Sequence, residues 1–100
     1  MIAEIKSNTD SSFAIKGELS FFNAPQITDI GIKLIKRNTV CVFDLQSLLC
    51  IDNAALAVLI AWARYANREQ TKIQFINPTQ KLIDMAKVGG LIKILPILQI

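Results

Sequence analysis

The first twenty residues alternate between apolar and polar side chains. Alternation occurs from Ile2 to Lys6 and again from Ser12 to Leu19, and polar, turn-prone residues 7–10 separate the two segments. A period of two is typical of strands that bury one face. The pattern predicts that the chain opens with an antiparallel hairpin.

Helical spacing follows, because apolar residues recur at intervals of three and four from Ile27 to Ile35. Asn23 and Pro25 come just before, where a cap and a residue suited to the first helical turn belong. A helix to about Arg37 is predicted. Three basic residues near its end suit the negative pole of the helix dipole and need no ligand to explain them: Lys33, Lys36 and Arg37.

The middle of the chain predicts a strand, a helix and a second strand. The run Val40–Leu45 favours β-structure throughout and is typical of a central strand buried on both faces. Asp52 or Asn53 can cap a helix that continues to about Glu69, and a strand pattern resumes at 71–76. Such a unit implies parallel pairing with a right-handed crossover.

The last third predicts a third helix and an apolar tail. Residues 77–80 contain a cap and a proline for the first helical turn, and Gly89-Gly90 can end the helix in a left-handed turn. The tail, residues 91–100, is apolar except for Lys93 and Gln99. Either it packs back on the domain or a partner covers it, and we favour packing back. The element order predicts an α/β fold in a single domain, residues 1–100.

Composition narrows the class of protein. The chain has 100 residues, of which 52% are hydrophobic and 19% charged, so one globular core is expected. The formal net charge of +3 comes from scattered residues with no basic stripe, which argues against nucleic-acid binding. Histidine is absent, which removes the commonest general base and zinc ligand. Cys41 and Cys50 lie in apolar stretches and are expected to be buried thiols.

No segment predicts secretion or a membrane span. The first residues contain no basic region followed by an apolar one, so we expect a cytoplasmic protein. The longest apolar run, residues 54–63, is much shorter than the roughly 20 residues that cross a bilayer. We therefore expect no direct membrane insertion.

Sites for chemistry are few. Gly89-Gly90 follows a helix and matches no phosphate-binding loop, and the carboxylates near element ends share no metal-ligand spacing. We expect no cofactor, no metal and no enzymatic activity. The junction 50–56 places small residues after a cap, where a bare helix start would let a partner approach. The alternative is tight packing of this helix on the sheet, which composition alone favours.

Several motifs, in order, resemble the STAS domain family. Gly17-Glu18-Leu19 resembles its Gly-Glu-Leu-Asp, with Ser20 in place of Asp, and Phe43-Asp44-Leu45 resembles its Val-Asp-Leu. Residues 52–56 fall on its Asp-Ser-Ser-Gly-Leu. Asn77-Pro78, Met85-Ala86, Gly90-Leu91 and Ile94-Leu95-Pro96 are similar to the closing segment of Mla-type members. The resemblance covers residues 13–96.

The resemblance implies a mixed sheet of four to five strands with three to four helices packed on it. It also implies that the family's phosphorylated hydroxyl is missing, because Ala54 occupies that position. The Ala- and Leu-rich helix start and Trp62, which we expect in the core, are closer to Mla-type members. The partner-binding residues implied by the resemblance are Glu18, Ser20, Asp52, Asn53, Ala54, Ala55 and Leu56.

The function expected from this resemblance is that of a non-catalytic accessory subunit. It would bind the cytoplasmic ATPase of an Mla-type ABC transporter that maintains outer-membrane lipid asymmetry, and would lie at the inner membrane through that partner. An alternative is an anti-sigma-factor antagonist that binds a kinase-like anti-sigma factor without the phosphorylatable hydroxyl. A small lipid-binding protein is a third hypothesis, which would need an internal cavity.

Overall fold

The computed structural model describes residues 1–97, which form a five-stranded mixed sheet and three helices. The elements are β1 (Glu4–Ser7), β2 (Ser12–Leu19), α1 (Ala24–Lys36), β3 (Val40–Asp44), β4 (Leu48–Cys50), α2 (Ala54–Arg68), β5 (Lys72–Ile76) and α3 (Gln80–Val88). The strand order is β1-β2-β3-β5, with β4 paired to β2. β1 is antiparallel to β2, and the other pairs are parallel. The predicted fold class and hairpin are confirmed.

The long strand β2 pairs with two different strands on one side. Its first residues pair with β3, from Ser12 opposite Val42, and its last pair with β4, from Gly17 opposite Leu48. The sequence pattern did not predict β4, because three residues are too few to show a period. Because the last residues of β2 and β4 are paired, the two strands end side by side and the loops that follow them meet.

Aromatic side chains fill the centre of the domain. Phe13, Phe43 and Phe75 are cross-strand neighbours in one row of the sheet. Trp62 of α2 stacks on Phe43 with a ring-centroid distance of 4.4 Å. The Trp62 side chain is fully buried, which confirms its expected place in the core.

Helices α1 and α2 lie side by side and run in the same direction. Trp62 Nε1 donates a hydrogen bond to the Thr28 carbonyl oxygen at 3.0 Å. Further along, Thr71 Oγ1 donates to the carbonyl oxygen of Asn38 at 3.2 Å. The close approach requires Gly31, since a Cβ there would overlap the indole ring of Trp62. The two helices therefore present both their starts and their ends together.

The helix caps differ in part from the predicted ones. Asn23 stands at the N-cap position of α1 but makes no side-chain cap bond. The cap of α3 is Thr79, which accepts from the Leu82 N–H at 3.2 Å, so the prediction of a cap with Pro78 at the first helical position is wrong by two residues. Gly90 follows α3 with φ +72°, the left-handed conformation expected after a helix end.

The tail packs back on the sheet as far as the structure describes it. The Phe75 N–H donates to the Pro96 carbonyl oxygen at 2.9 Å, and Ile97 forms a parallel bridge with Phe75. Leu95 is buried in the core. The favoured prediction is confirmed for residues 91–97, and the end of the predicted tail, residues 98–100, lies outside the described residues.

Both cysteines are free and buried, as expected. Burial raises the pKa of the Cys41 thiol to about 11. It also raises the pKa of Cys50, and nearby Lys81 opposes that rise in part. Each thiol is therefore a packed, neutral group near pH 7. Within residues 1–97, no helix has the length and hydropathy of a membrane span.

Candidate partner-binding site

The loops after β2 and β4 meet at the carboxyl ends of these parallel strands. Asp52 joins them, because one carboxylate oxygen accepts from the Ala54 N–H at 2.8 Å and the other accepts from the Phe21 N–H at 3.1 Å. The Ile51 N–H also donates to the Leu19 carbonyl oxygen at 3.1 Å. Of the two predicted cap residues, Asn53 therefore stands at the N-cap position of α2, whereas Asp52 supplies the side-chain bond to the first N–H of the helix.

The small residues at the start of α2 face the core. Ala54 and Ala55 are fully buried, and Leu56 is nearly so. The expectation of an exposed, bare helix start is wrong at Ala54 and Ala55, and the alternative of tight packing on the sheet is confirmed. Because neither alanine has side-chain atoms beyond Cβ, α2 can pack closely on the sheet. Both methyl groups are covered, so neither can touch a partner while the domain is folded.

Asn53 and Ala57 form the exposed side of the same helix start. They are four residues apart and lie on one face of α2, and both are exposed. Asn53 stands at the N-cap position, yet its side chain makes no cap bond. Its amide is therefore available to donate to or accept from a partner.

Two adjacent phenylalanines in the loop after β2 are exposed, and the sequence reasoning missed both. The side chain of Phe21 is 65% exposed and that of Phe22 is 89% exposed. Large apolar side chains with this exposure are informative when they cluster. The sequence did contain an indication of this exposed pair. Two phenylalanines stand directly before the Asn-x-Pro helix start, in a loop where polar turn residues are usual.

The phenylalanine loop is held firmly although its side chains point outward. Asn23, a buried polar residue, accepts from the Ser20 N–H at 2.9 Å and donates to the Glu18 carbonyl oxygen at 2.8 Å. Ser20 Oγ in turn accepts from the Phe22 N–H at 3.3 Å. These bonds and the one from Phe21 to Asp52 order the loop before any partner arrives, which lowers the entropic cost of binding.

The exposed residues at this end form one surface, which we call the apolar face: Phe21, Phe22, Ile51, Asn53 and Ala57. A groove of about 300 Å³ between α1 and α2 reaches it, lined by Phe21, Ala24, Pro25, Thr28, Asp29, Ala57 and Val58. On the other side of α2 lies a groove of about 620 Å³, lined by Asn53, Leu56, Lys81, Asp84, Met85, Val88 and Gly89. The start of α2 is thus a ridge between two grooves.

The remaining residues implied as partner-binding lie beside the apolar face. Glu18 is exposed, pairs in register with Leu49 and lies 3.7 Å from the N-terminal amine. Ser20 is half-buried and supports the loop through its bond to Phe22. The structure therefore brings Glu18, Ser20, Asp52 and Asn53 together at one end of the sheet.

The site contains polar groups suited to recognition and few suited to catalysis. Within residues 1–97, no group of three or more Cys, Asp or Glu side chains could hold a metal ion. Every buried side-chain nitrogen or oxygen in that range has a hydrogen-bond partner. What this end offers a ligand is apolar area, one free amide and an ordered backbone.

Comparison with known families agrees with this arrangement. The family described as "Mlab, STAS domain" matches residues 4–98, which is nearly the whole chain. The chain belongs to the STAS domain family of the MlaB type. The α/β fold and the order of motifs inferred from sequence are explained by this membership.

Solved structures with the same fold come from two kinds of protein. A chain of the Acinetobacter MlaFEDB complex in its ATP-bound Vtrans2 conformation is 26% identical, with a TM-score of 0.81, over 95% of this chain and 99% of that one. The anti-sigma factor antagonist SpoIIAA in its unphosphorylated form is 16% identical, with a TM-score of 0.74, over 97% and 86%.

An anti-sigma factor antagonist from Mycobacterium paratuberculosis is 13% identical, with a TM-score of 0.71, over 99% of this chain and 86% of that one. No curated protein matches the chain at a significant level. The two antagonists are similar in fold, whereas the MlaFEDB chain is also similar in sequence.

Proposed function

We propose that this STAS domain is a non-catalytic subunit that binds the ATPase of an Mla-type phospholipid transporter and supports its assembly or activity. The contact is made by the apolar face, with Asn53 at its centre. In this role the domain stays at the cytoplasmic side of the inner membrane through its partner and transfers no chemical group itself.

The observation that carries the proposal is the ordered, exposed Phe21-Phe22 loop beside Asn53 and Ala57. Interface hot spots are enriched in aromatic side chains surrounded by groups that exclude water. Here the loop that carries the aromatic groups is held before binding, because the Phe21 N–H donates to Asp52 and the Ser20 N–H donates to Asn23. Likeness in sequence and fold to a chain of MlaFEDB supports a transporter partner.

A regulated anti-sigma-factor antagonist is supported less well. Its switch needs a hydroxyl that a kinase can reach, and the equivalent residue, Ala54, has no hydroxyl and is fully buried. Likeness to the antagonists at 13–16% identity reflects the shared fold. The observations therefore favour the transporter partner.

Co-purification tests the proposal directly. The tagged domain is expressed with the Mla-type ATPase of its own bacterium, and the affinity of the purified pair is measured by calorimetry. We expect stable binding, and we expect Phe22→Ser to weaken it at least about tenfold, since a central aromatic anchor contributes roughly 2 kcal/mol or more.

A matched control separates loss of the anchor from loss of any exposed apolar side chain. Ile30→Ser removes an apolar residue from the exposed side of α1, away from the apolar face, and we expect unchanged affinity. Failure of the ATPase to co-purify with the wild-type domain would contradict the proposal. Equal weakening by both substitutions would remove the apolar face from it.

A further inference from the structure

The end of the domain opposite the apolar face collects basic side chains. Because α1 and α2 run side by side, their last turns lie together, and the loops that follow them are bonded to each other. The Lys72 N–H donates to the Thr39 carbonyl oxygen at 2.9 Å, and Thr71 bonds to Asn38. The first residue of β5 therefore lies beside both helix ends.

The tail adds to the same end. Ile94, which is 74% exposed, lines a groove together with Arg64, Asn67 and Thr71. Its neighbour Lys93 is exposed. We call the resulting surface the basic end, and its charged members are Lys33, Lys36, Arg37, Arg64, Arg68, Lys72 and Lys93, all exposed.

Charge is divided unevenly between the basic end and the rest of the domain. The basic end contains seven of the eleven Lys and Arg residues, and the acidic residues near it are Asp10, Glu69 and Asp29, which lies one helical turn before Lys33. Seven positive and three negative side chains give a net charge of +4 there. The other four positive and five negative side chains give −1, so the total of +3 is concentrated at the basic end.

The seven basic groups are not neutralised within the domain. The ion pairs among residues 1–97 join the N-terminal amine to Glu18 and Lys6 to Glu4, and neither involves the basic end. Arg68 lies over the ring of Tyr65, 5.4 Å from its centroid, which leaves its charge exposed. Helix dipoles account for cations in the last turns of α1 and α2 but not for Lys72 or Lys93.

We propose that the basic end is an electrostatic docking surface for anionic phospholipid headgroups at a bilayer surface. The charges come from two helices, a strand and the tail, so they are spread over an area rather than aligned along a groove that would follow one peptide or nucleic-acid strand. Exposed Ile94 and Val40 lie among them and can contact the headgroup boundary. The exposed phenylalanines, which could stack on bases, lie at the other end.

This docking leaves the apolar face free. The domain measures about 30 × 29 × 23 Å, and the two surfaces lie at opposite ends of the α1–α2 pair. A protein partner and a bilayer can therefore be engaged together. The inference does not depend on the proposed ATPase contact, because it concerns the domain alone.

Sedimentation of the purified full chain with vesicles tests the proposal. We expect binding to vesicles of equal parts phosphatidylglycerol and phosphatidylcholine at low ionic strength, little binding to phosphatidylcholine alone, and progressive loss as salt is added. Each basic side chain near an anionic surface strengthens binding about fivefold. The double variant Lys36→Glu with Arg68→Glu should therefore bind at least about twentyfold more weakly.

The matched control is Lys6→Glu with Lys87→Glu, which changes the net charge equally but outside the basic end, and we expect it to retain most binding. Thermal unfolding of each variant checks that these exposed substitutions keep the fold. Equal loss in both double variants, or equal binding to neutral vesicles, overturns the proposal. So does tighter binding to RNA or to polyglutamate than to the anionic vesicles at the same salt concentration.

Discussion

The two ends of the α1–α2 pair differ in what they present to solvent. At the helix starts the free backbone N–H groups are partly satisfied by Asp52, and the exposed side chains are aromatic and aliphatic. At the helix ends the exposed side chains are cationic and extend into the loops and the tail. One end is thus suited to a dry protein contact and the other to a hydrated anionic surface.

Both surfaces depend on the packed contact between α1 and α2, which we call the seam. Trp62 fits against Gly31 and bonds to Thr28, and this contact sets the helices parallel. Damage to the seam should therefore abolish both surfaces through unfolding, whereas changes at either end should affect one contact only. The following substitutions test that separation, from the largest expected effect on stability to the smallest.

The largest effect on stability is expected from an arginine at buried Ala54. An arginine at exposed Ala57, about one turn further along α2, is the matched control. Ala54→Arg forces a charge into a fully buried site and should cost about 4 kcal/mol or more of unfolding free energy. Ala57→Arg changes an exposed position and should alter stability by less than about 0.5 kcal/mol while blocking the apolar face. Urea unfolding measures both, and similar stabilities would contradict the assignment of Ala54 to the core.

The next largest effect is expected at the seam. Gly31→Ala places a methyl group against the indole of Trp62, so the helices must separate, at a cost of about 3 kcal/mol. Gly89→Ala is the control, because the nearest atom to its added carbon is 3.5 Å away. Chemical unfolding should show a large loss in the first variant and almost none in the second.

A smaller effect is expected from Asp52→Ala. It removes the side-chain bond to the first N–H of α2 and the bond to Phe21, and should cost about 1–2 kcal/mol. Hydrogen exchange at the Phe21 amide should accelerate more than exchange in β3. An unchanged rate at Phe21 would show that other bonds hold the phenylalanine loop.

The last effect concerns the Cys41 thiol, and it is absent near neutral pH and appears only at alkaline pH. Burial raises its pKa from 9.0 to about 11, so the folded state favours the neutral form. This contribution is complete below pH 9 and is lost as pH rises from about 9 to 11. The free energy of unfolding should fall in that window, and it should fall less steeply in Cys41→Ala. Identical slopes would mean that other groups cause the decline.

Much of the fold could be predicted from local pattern. Most elements have either a hydrophobic period or a continuous apolar run that is long enough to recognise in the sequence. This holds for the hairpin, the three helices and the strands β3 and β5. β4 was missed because it has three residues, and its pairing is with a distant strand. The sequence indicated the regions where the helices begin. Which side chains form hydrogen bonds there depends on the loops, because Asn23 accepts from Ser20 in the preceding loop and Asp52 accepts from Ala54 at the start of α2.

The sequence by itself determined the family, the order of the elements other than β4 and the buried place of Trp62, because these follow from periodicity and short motifs. Only the tertiary structure decided which side of α2 is buried and which is exposed. Ala54 and Ala57 are equally small, and their burial depends on how closely the sheet approaches. The same holds for the basic end, since residues far apart in sequence share a surface only after the strands align in parallel.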